Sequence, residues 1–213
     1  MLKRRRSFDE AAELYERALA IQEQTLPPSH PSVGNTVTNL ANLALEAKDY
    51  PRALELYNRA RAIYEEALGP NHTSLALVLD NLGRCHRELG HFEDADRSLR
   101  NALAIYKQAL ESDSPEIGYC LTDLAILQLD LDRPQQAQEL AQRALTIVEA
   151  AFGPDDYRLV PTLHCLAQAA RTLGQPDRAL VFYRRALTIA ESAPQLQHPD
   201  EIAELRSELA ELE

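Results

Sequence analysis

The chain has 213 residues and a net charge of −11, from 22 basic and 33 acidic residues. This balance argues against nucleic-acid binding, which needs a basic surface to displace counterions from phosphates. No run of about 18 apolar residues exists, and the basic cluster at residues 3–6 is not followed by an apolar stretch, so neither a membrane-spanning helix nor a secretory signal is expected.

The first element is a helical segment that has no helical partner before it. Residues 8–21 read FDEAAELYERALAI, and Leu14, Tyr15 and Leu19 make the segment apolar over more than one face. A helix that is apolar on several sides needs a covering partner. We therefore expect a homodimer through residues 7–26, docking on an upstream domain, or a chain that is a piece of a longer array.

The same sequence pattern recurs every 42 residues, beginning at Phe8, Tyr50, Phe92, Pro134 and Pro176. Two alanine columns and one isoleucine column keep that register through all five copies. They are Ala11, Ala53, Ala95, Ala137 and Ala179; Ala18, Ala60, Ala102, Ala144 and Ala186; and Ile21, Ile63, Ile105, Ile147 and Ile189. A fixed period of this length is the signature of a helical repeat array.

Each period predicts two helices, an A helix followed by a B helix. In the first complete copy the A helix runs from about Ser32 to Ala47, with Val37, Leu40 and Ala44 on one apolar stripe. The B helix runs from about Tyr50 to Leu68. Alanine columns in the B helix predict a close approach of the two helix axes.

Prolines and glycines mark the ends of these helices. Pro31 and Pro115 stand in the first turn of an A helix, where a missing N–H is tolerated. Pro161 lies deeper, so the fourth A helix must start late. Gly69 and Gly153, each followed by proline, end a B helix.

These signals divide the chain into a half repeat, four repeats and a cap. The last segment carries Ile202, Leu205, Leu209 and Leu212 on one face and charged residues on the rest, as a terminal capping helix requires. The predicted boundaries are an unpaired B helix at 1–29, repeats at 30–71, 72–113, 114–155 and 156–197, and a C-terminal capping helix at 198–213.

The helix pair and its small residues resemble the tetratricopeptide repeat. The likeness is carried by the alanine columns and by a small residue at Ala41, Gly83, Ala125 and Ala167. The usual repeat has about 34 residues, and the 42-residue form is similar to that of kinesin light chain. The resemblance implies an all-α, right-handed superhelical solenoid of antiparallel helix pairs, with the A helices lining its concave groove.

The family usually places an aromatic residue where this chain has Ala44, His86, Gln128 and Ala170. We expect His86 and Gln128 to be hydrogen-bonded inside their helix pairs.

Because the apolar stripe of each A helix is used for packing, its opposite face points into the implied groove. Asparagines there suit an extended peptide, since one amide offers both a donor and an acceptor. Asn39 and Asn81 match the column that contacts peptide in kinesin light chain, whereas Asp123 and Cys165 do not. The groove candidates are Asn39, Asn42, Asn81, Arg84, Arg87, Tyr119, Asp123, Ile126, Leu129, Gln168 and Arg171.

The third copy places apolar side chains on this otherwise polar face. Tyr119, Ile126 and Leu129 form a patch that has arginines in the neighbouring copies. Such a patch predicts a peptide with an apolar anchor flanked by acidic residues. The alternative is that Ile126 and Leu129 pack between neighbouring repeats.

No signature of a catalytic site, cofactor site or metal site occurs. The P-loop, GxGxxG, HExxH, GxSxG and kinase patterns are absent. His86, His91 and His164 have no second ligand at i+3 or i+4 to make a zinc pair. Three cysteines without a CxxC pattern favour a reducing, cytoplasmic setting.

The leading interpretation is a non-catalytic scaffold that binds a protein or peptide partner, with no cofactor. The alternatives are the C-terminal regulatory or recruitment region of a larger signalling protein, and an oligomerising module that uses the unpaired first helix.

Overall fold

The computed structural model describes residues 2–192 and 199–212, with side chains from residue 10 onward, and all regular structure there is helical. None of the described helices combines the length and the apolar character that a membrane span requires. The helices are α1 (Leu2–Thr25), α2 (Pro31–Glu46), α3 (Tyr50–Leu68), α4 (Thr73–Glu88), α5 (Phe92–Ala109), α6 (Pro115–Asp130), α7 (Pro134–Phe152), α8 (Val160–Thr172), α9 (Pro176–Ser192) and α10 (Pro199–Ala210).

The helices form the pairs predicted from the sequence. The most extensive contacts join α2 to α3, α4 to α5, α6 to α7, and α8 to α9. Three residues connect the partners of each pair, so the two helices run antiparallel. The chain forms two compact units: residues 1–109 hold α1–α5, and residues 110–213 hold α6–α10. The expected all-α architecture of antiparallel pairs is confirmed.

Small residues let the helices of a pair approach closely. A methyl group on Gly83 of α4 would lie 2.5 Å from the Cγ atom of Leu99 in α5. One on Gly118 of α6 would lie 2.6 Å from the Cγ2 atom of Val148 in α7. From the first complete repeat onward, both alanine columns of the B helices are fully buried. The columns are therefore explained by packing, since larger side chains would hold the axes apart.

The turns within the pairs need one residue with a left-handed backbone. Gly90 and Gly174 supply it in two repeats, with φ of 75° and 69°. Lys48 and Asp132 supply it in the other two, with φ of 59° and 55°. In the first of these turns the Asp49 amide donates to the Ala44 carbonyl at 2.8 Å, which closes the end of the A helix.

The fourth A helix starts late, as Pro161 requires. Residues 157–159 form a single 3₁₀ turn, and α8 begins at Val160. Pro161 therefore lies in the first helical turn, where its missing N–H removes no helical hydrogen bond.

The first helix is less covered than its later equivalents. Leu14 and Ile21 of α1 are 63% and 62% exposed, whereas Leu56 and Ile63, their equivalents in α3, are each 7% exposed. Ile63 owes its burial in part to its own A helix, because a methyl group on Gly34 of α2 would lie 3.1 Å from its Cγ2 atom. In the described chain α1 packs against α2 but has no A helix before it.

The two polar residues that replace the family's aromatic are only partly hydrogen-bonded. Gln128 is 1% exposed, and its Oε1 atom accepts from Arg133 at 3.4 Å. The buried Nδ1 atom of His86 and the buried Nε2 atom of Gln128 have no hydrogen-bond partner. Burial lowers the pKa of His86 below its ordinary 6.5; the Asp94 carboxylate opposes this effect, and the charges of His91, Arg61 and Arg97 add to it.

The lowered pKa of His86 predicts a loss of stability in mild acid. At pH values well above its ordinary pKa of 6.5, His86 is neutral in the folded and the unfolded chain, so its titration does not change the free energy of unfolding. As the pH falls below 6.5, the unfolded chain binds a proton that the folded chain resists, which favours unfolding by at most about 1.4 kcal/mol per pH unit. His86→Gln, which copies Gln128, should flatten this decline in urea unfolding followed by circular dichroism from pH 7.5 to 5.5.

Parallel pH profiles for the unmodified chain and His86→Gln would contradict this assignment.

Candidate functional site

In the first unit, the candidate residues lie on α2 and α4 and differ in exposure. Arg84 is exposed, Asn39, Asn42 and Arg87 are partly buried, and Asn81 is 8% exposed. Arg84 donates from Nη1 to the Oδ1 atom of Asn81 at 3.3 Å. Arg87 pairs with the neighbouring Glu88. The structure thus brings Asn81 and Arg84 together, with the arginine outermost.

Tyrosines of a B helix hold asparagines of the facing A helix in the first unit. The Tyr57 hydroxyl donates to Asn42 Oδ1 at 2.5 Å, and the Tyr64 hydroxyl donates to Asn35 Oδ1 at 2.6 Å. The side chain of Tyr57 is fully buried, and burial is the main cause of the raised pKa of its hydroxyl. Each bond occupies the amide oxygen and turns the amide N–H groups away from the tyrosine.

The apolar candidates of the second unit lie at the edge of its core. Tyr119, Ile126 and Leu129 are partly buried and pack against the buried hydrophobic cluster of this unit. The ring of Tyr119 stacks on Phe152, with centroids 6.4 Å apart and planes 9° apart. The Arg158 guanidinium covers the Phe152 ring at 3.6 Å from its centroid. Packing therefore accounts for part of this patch, while each residue keeps some exposed surface.

The polar candidates of the second unit, Gln168 and Arg171, contact side chains of the last helix, α10. Gln168 donates to Glu208 Oε1 at 3.0 Å, and Arg171 lies 3.3 Å from Glu211 Oε2 and 3.5 Å from Glu208 Oε1. The Nε2 atom of His164 forms a hydrogen bond with Glu208 Oε2. We expected the glutamates of α10 to cover its outer face. That expectation is wrong for Glu208, whose side chain is 14% exposed and faces α8.

The charge of Glu208 is stabilised in this position. Burial raises the pKa of its carboxyl, but hydrogen bonds from His164 and Gln168 and the Arg171 charge more than offset this, so the pKa lies below its usual 4.5. Glu208 therefore accepts hydrogen bonds as a carboxylate near neutral pH.

The repeats have known relatives. The profile of the family described as "Tetratricopeptide repeat" matches residues 1–66, 35–108, 96–150 and 119–192. The chain belongs to the tetratricopeptide repeat family. Among curated proteins, no relative matches the sequence.

Solved structures similar to this chain include repeat proteins of the kinesin light chain type. BtubC (BKLC) from P. vanneervenii superposes with a TM-score of 0.75 at 24% identity, over 92% of this chain and 78% of that one. A Podosopora anserina kinesin light chain-like protein with nearly identical TPR-like repeats superposes with a TM-score of 0.68 at 25% identity, over 92% and 91%. The apo form of RapI superposes with a TM-score of 0.74 at 17% identity, over 90% and 67%, and supports the fold alone.

The bond between Asn42 and Tyr57 predicts a structural cost at one groove candidate. Asn42→Ala leaves the buried Tyr57 hydroxyl without its acceptor, which should lower the free energy of unfolding by about 1–3 kcal/mol. Adding Tyr57→Phe removes the unpaired hydroxyl and should restore part of that loss. Chemical denaturation of both variants measures the effect.

Asn39→Ala is the control on the same helix, and should change the unfolding free energy by no more than about 0.5 kcal/mol. Equal losses in Asn39→Ala and Asn42→Ala would show that the tyrosine bond contributes nothing.

Proposed function

We propose that this chain is a non-catalytic, cytoplasmic protein-interaction scaffold that binds a peptide segment of a partner on the polar faces of its A helices. Tetratricopeptide repeats bind partners through extended concave surfaces. The observation that carries the proposal is the set of oriented amides in the first unit. Asn35 and Asn42 are held through their oxygens, so their N–H groups are ready to donate to peptide carbonyls.

The charges of the first unit favour an acidic segment. Arg84 is exposed on α4 and is positioned by Asn81. A guanidinium held in place loses less conformational freedom when it binds a carboxylate. Arg87 has a second role, because it already pairs with Glu88. The proposed surface of the first unit consists of Asn35, whose amide is oriented by Tyr64, together with Asn39, Asn42, Asn81, Arg84 and Arg87.

The second unit offers an apolar contact. Tyr119, Ile126 and Leu129 keep exposed surface beside the core, with Asp123 on the same helix. Partly exposed apolar groups rimmed by polar residues suit an apolar anchor of a partner. Gln168 and Arg171 already contact α10, so we assign them a smaller part in binding.

Charge reversal at Arg84 tests the peptide surface. An array of peptides that varies acidic and apolar positions independently is probed with the unmodified chain, Arg84→Glu and Arg97→Glu. Arg97 is an exposed arginine of the B helix α5 and is the matched control. We expect acidic peptides to lose at least about tenfold in affinity for Arg84→Glu, since losing one charge-assisted hydrogen bond costs about 1.5–3 kcal/mol, and to keep their affinity for Arg97→Glu.

Equal binding to both variants, or binding that ignores the acidic positions, would contradict the proposal.

A second function is favoured by the exposed face of α1. Leu14 and Ile21 correspond to positions that are nearly buried in α3, so a covering partner would bury apolar surface. We assign this face to a homodimer through residues 7–26. The other occupant is an upstream domain, as in a recruitment region of a larger signalling protein.

Analytical ultracentrifugation separates these two arrangements. The unmodified chain should dimerise, and Leu14→Glu with Ile21→Glu should yield a monomer. Val181→Glu is the control, because Val181 is also 63% exposed but lies on α9. A stable monomer of the unmodified chain would contradict self-association and favour the upstream domain.

A further inference from the structure

Three potential metal-ligand side chains converge in the second unit, at the contact between α8 and α10. Among the described residues, His164, Glu204 and Glu208 each offer one ligand atom, and these atoms all lie within 4.8 Å of one another. The imidazole comes from α8, and both carboxylates come from α10. The two glutamates stand at i and i+4, one above the other on the same helix face. Because the imidazole and the carboxylates lie on different helices, the residue spacing within one helix does not reveal the group.

The spacing suits a small cation. Two ligand atoms about 2.1 Å from one ion lie at most about 4.2 Å apart. Glu204 is exposed and free to rotate by the small amount required. His164 and Glu208 are already in place, with side chains that are 16% and 14% exposed. These two side chains are hydrogen-bonded to each other, so an ion between them would have to separate their ligand atoms, while Glu204 lies within reach as the third ligand.

The neighbouring side chains orient these ligands. Glu208 directs its Oε2 atom to His164, while its Oε1 atom accepts from Gln168 at 3.0 Å and lies 3.5 Å from Arg171. Hydrogen bonds to the second oxygen of a ligating carboxylate are a regular feature of protein metal sites. The Arg171 charge is confined to the Oε1 side and leaves Oε2 directed at the imidazole.

An independent observation comes from Tyr183 of α9. Its side chain is 0% exposed, and its hydroxyl has no hydrogen-bond partner by distance and angle. Its ring centroid lies 5.9 Å from that of His164. Burial raises the pKa of its hydroxyl, and the charge and hydrogen-bonding capacity of the nearby Glu208 raise it further. A fully buried hydroxyl that lies close to Glu208 but outside hydrogen-bond distance and angle thus borders the same cluster. Buried polar groups without partners are uncommon and point to a missing neighbour, such as an ion or its water.

We propose that His164, Glu204 and Glu208 bind a divalent transition-metal ion, with Zn²⁺ as the best match. One imidazole and two carboxylates form a mixed nitrogen and oxygen donor set, which suits Zn²⁺ and Co²⁺ better than Mg²⁺ or Ca²⁺. The ion replaces the hydrogen bond between His164 and Glu208 and leaves at least one coordination position for water. Because its ligands come from two helices, the ion stabilises the contact between α10 and α8.

Cobalt titration tests the site directly. The full chain, freed of metal by chelation, is titrated with Co²⁺ at pH 7.5 and followed by visible absorption, and Zn²⁺ is then added as a competitor. We expect one Co²⁺ per chain, displaced by Zn²⁺, with broadening of the His164 ring signals in NMR. Glu204→Gln should lower the affinity at least tenfold. Since Glu204 is exposed, circular dichroism should show an intact fold for this variant.

Asp200→Asn provides the matched control, because it removes one exposed carboxylate from the same helix. Its affinity should equal that of the unmodified chain, and Zn²⁺ should raise the Tm of both but not that of Glu204→Gln. The absence of a Co²⁺ spectrum at millimolar metal would overturn the proposal. Equal affinities of Glu204→Gln and Asp200→Asn, or an unchanged His164 signal, would also overturn it.

Discussion

The close approach of two helices at a residue with little or no side chain determines most of this structure. At Gly83 and Gly118 even a methyl group would come within 2.6 Å of a side chain on the facing helix. The alanine columns of the B helices are buried for the same reason. Because contact between such surfaces requires one relative register, each helix pair forms with the same spacing. The small residues at these contacts therefore recur in the sequence with a period of 42 residues.

The same geometry organises the proposed binding surfaces. When an A helix uses its small and apolar residues to pack on its B helix, its remaining face carries the polar groups. Tyr57 and Tyr64 reach across the pair and hold Asn42 and Asn35 by their oxygens. The oriented amides therefore depend on the packing beneath them. In the second unit the corresponding face of α8 is partly taken by α10, which explains why the two units differ in what they offer a partner.

Much of the fold could be predicted because its determinants are local or periodic. The start of α8 followed from Pro161, and the helix pairs followed from the alanine columns. The interactions of the sites could not be predicted, since they join residues on different helices. The bond between Tyr57 and Asn42, and the approach of Glu208 to His164, depend on the direction of side chains across a helix contact. The pattern of α10 showed an apolar face, but not that a glutamate beside that face would turn toward α8.

A double-mutant cycle at Gly83 and Leu99 tests the close-approach constraint most directly. Gly83→Val should lower the free energy of unfolding by about 1–3 kcal/mol, because the new side chain overlaps Leu99. In the presence of Leu99→Ala the same change should cost less, with a coupling of about 0.5–3 kcal/mol between the two sites. Additivity of the two changes within about 0.5 kcal/mol would contradict this constraint, because the contact between Gly83 and Leu99 would then not set the spacing of the pair.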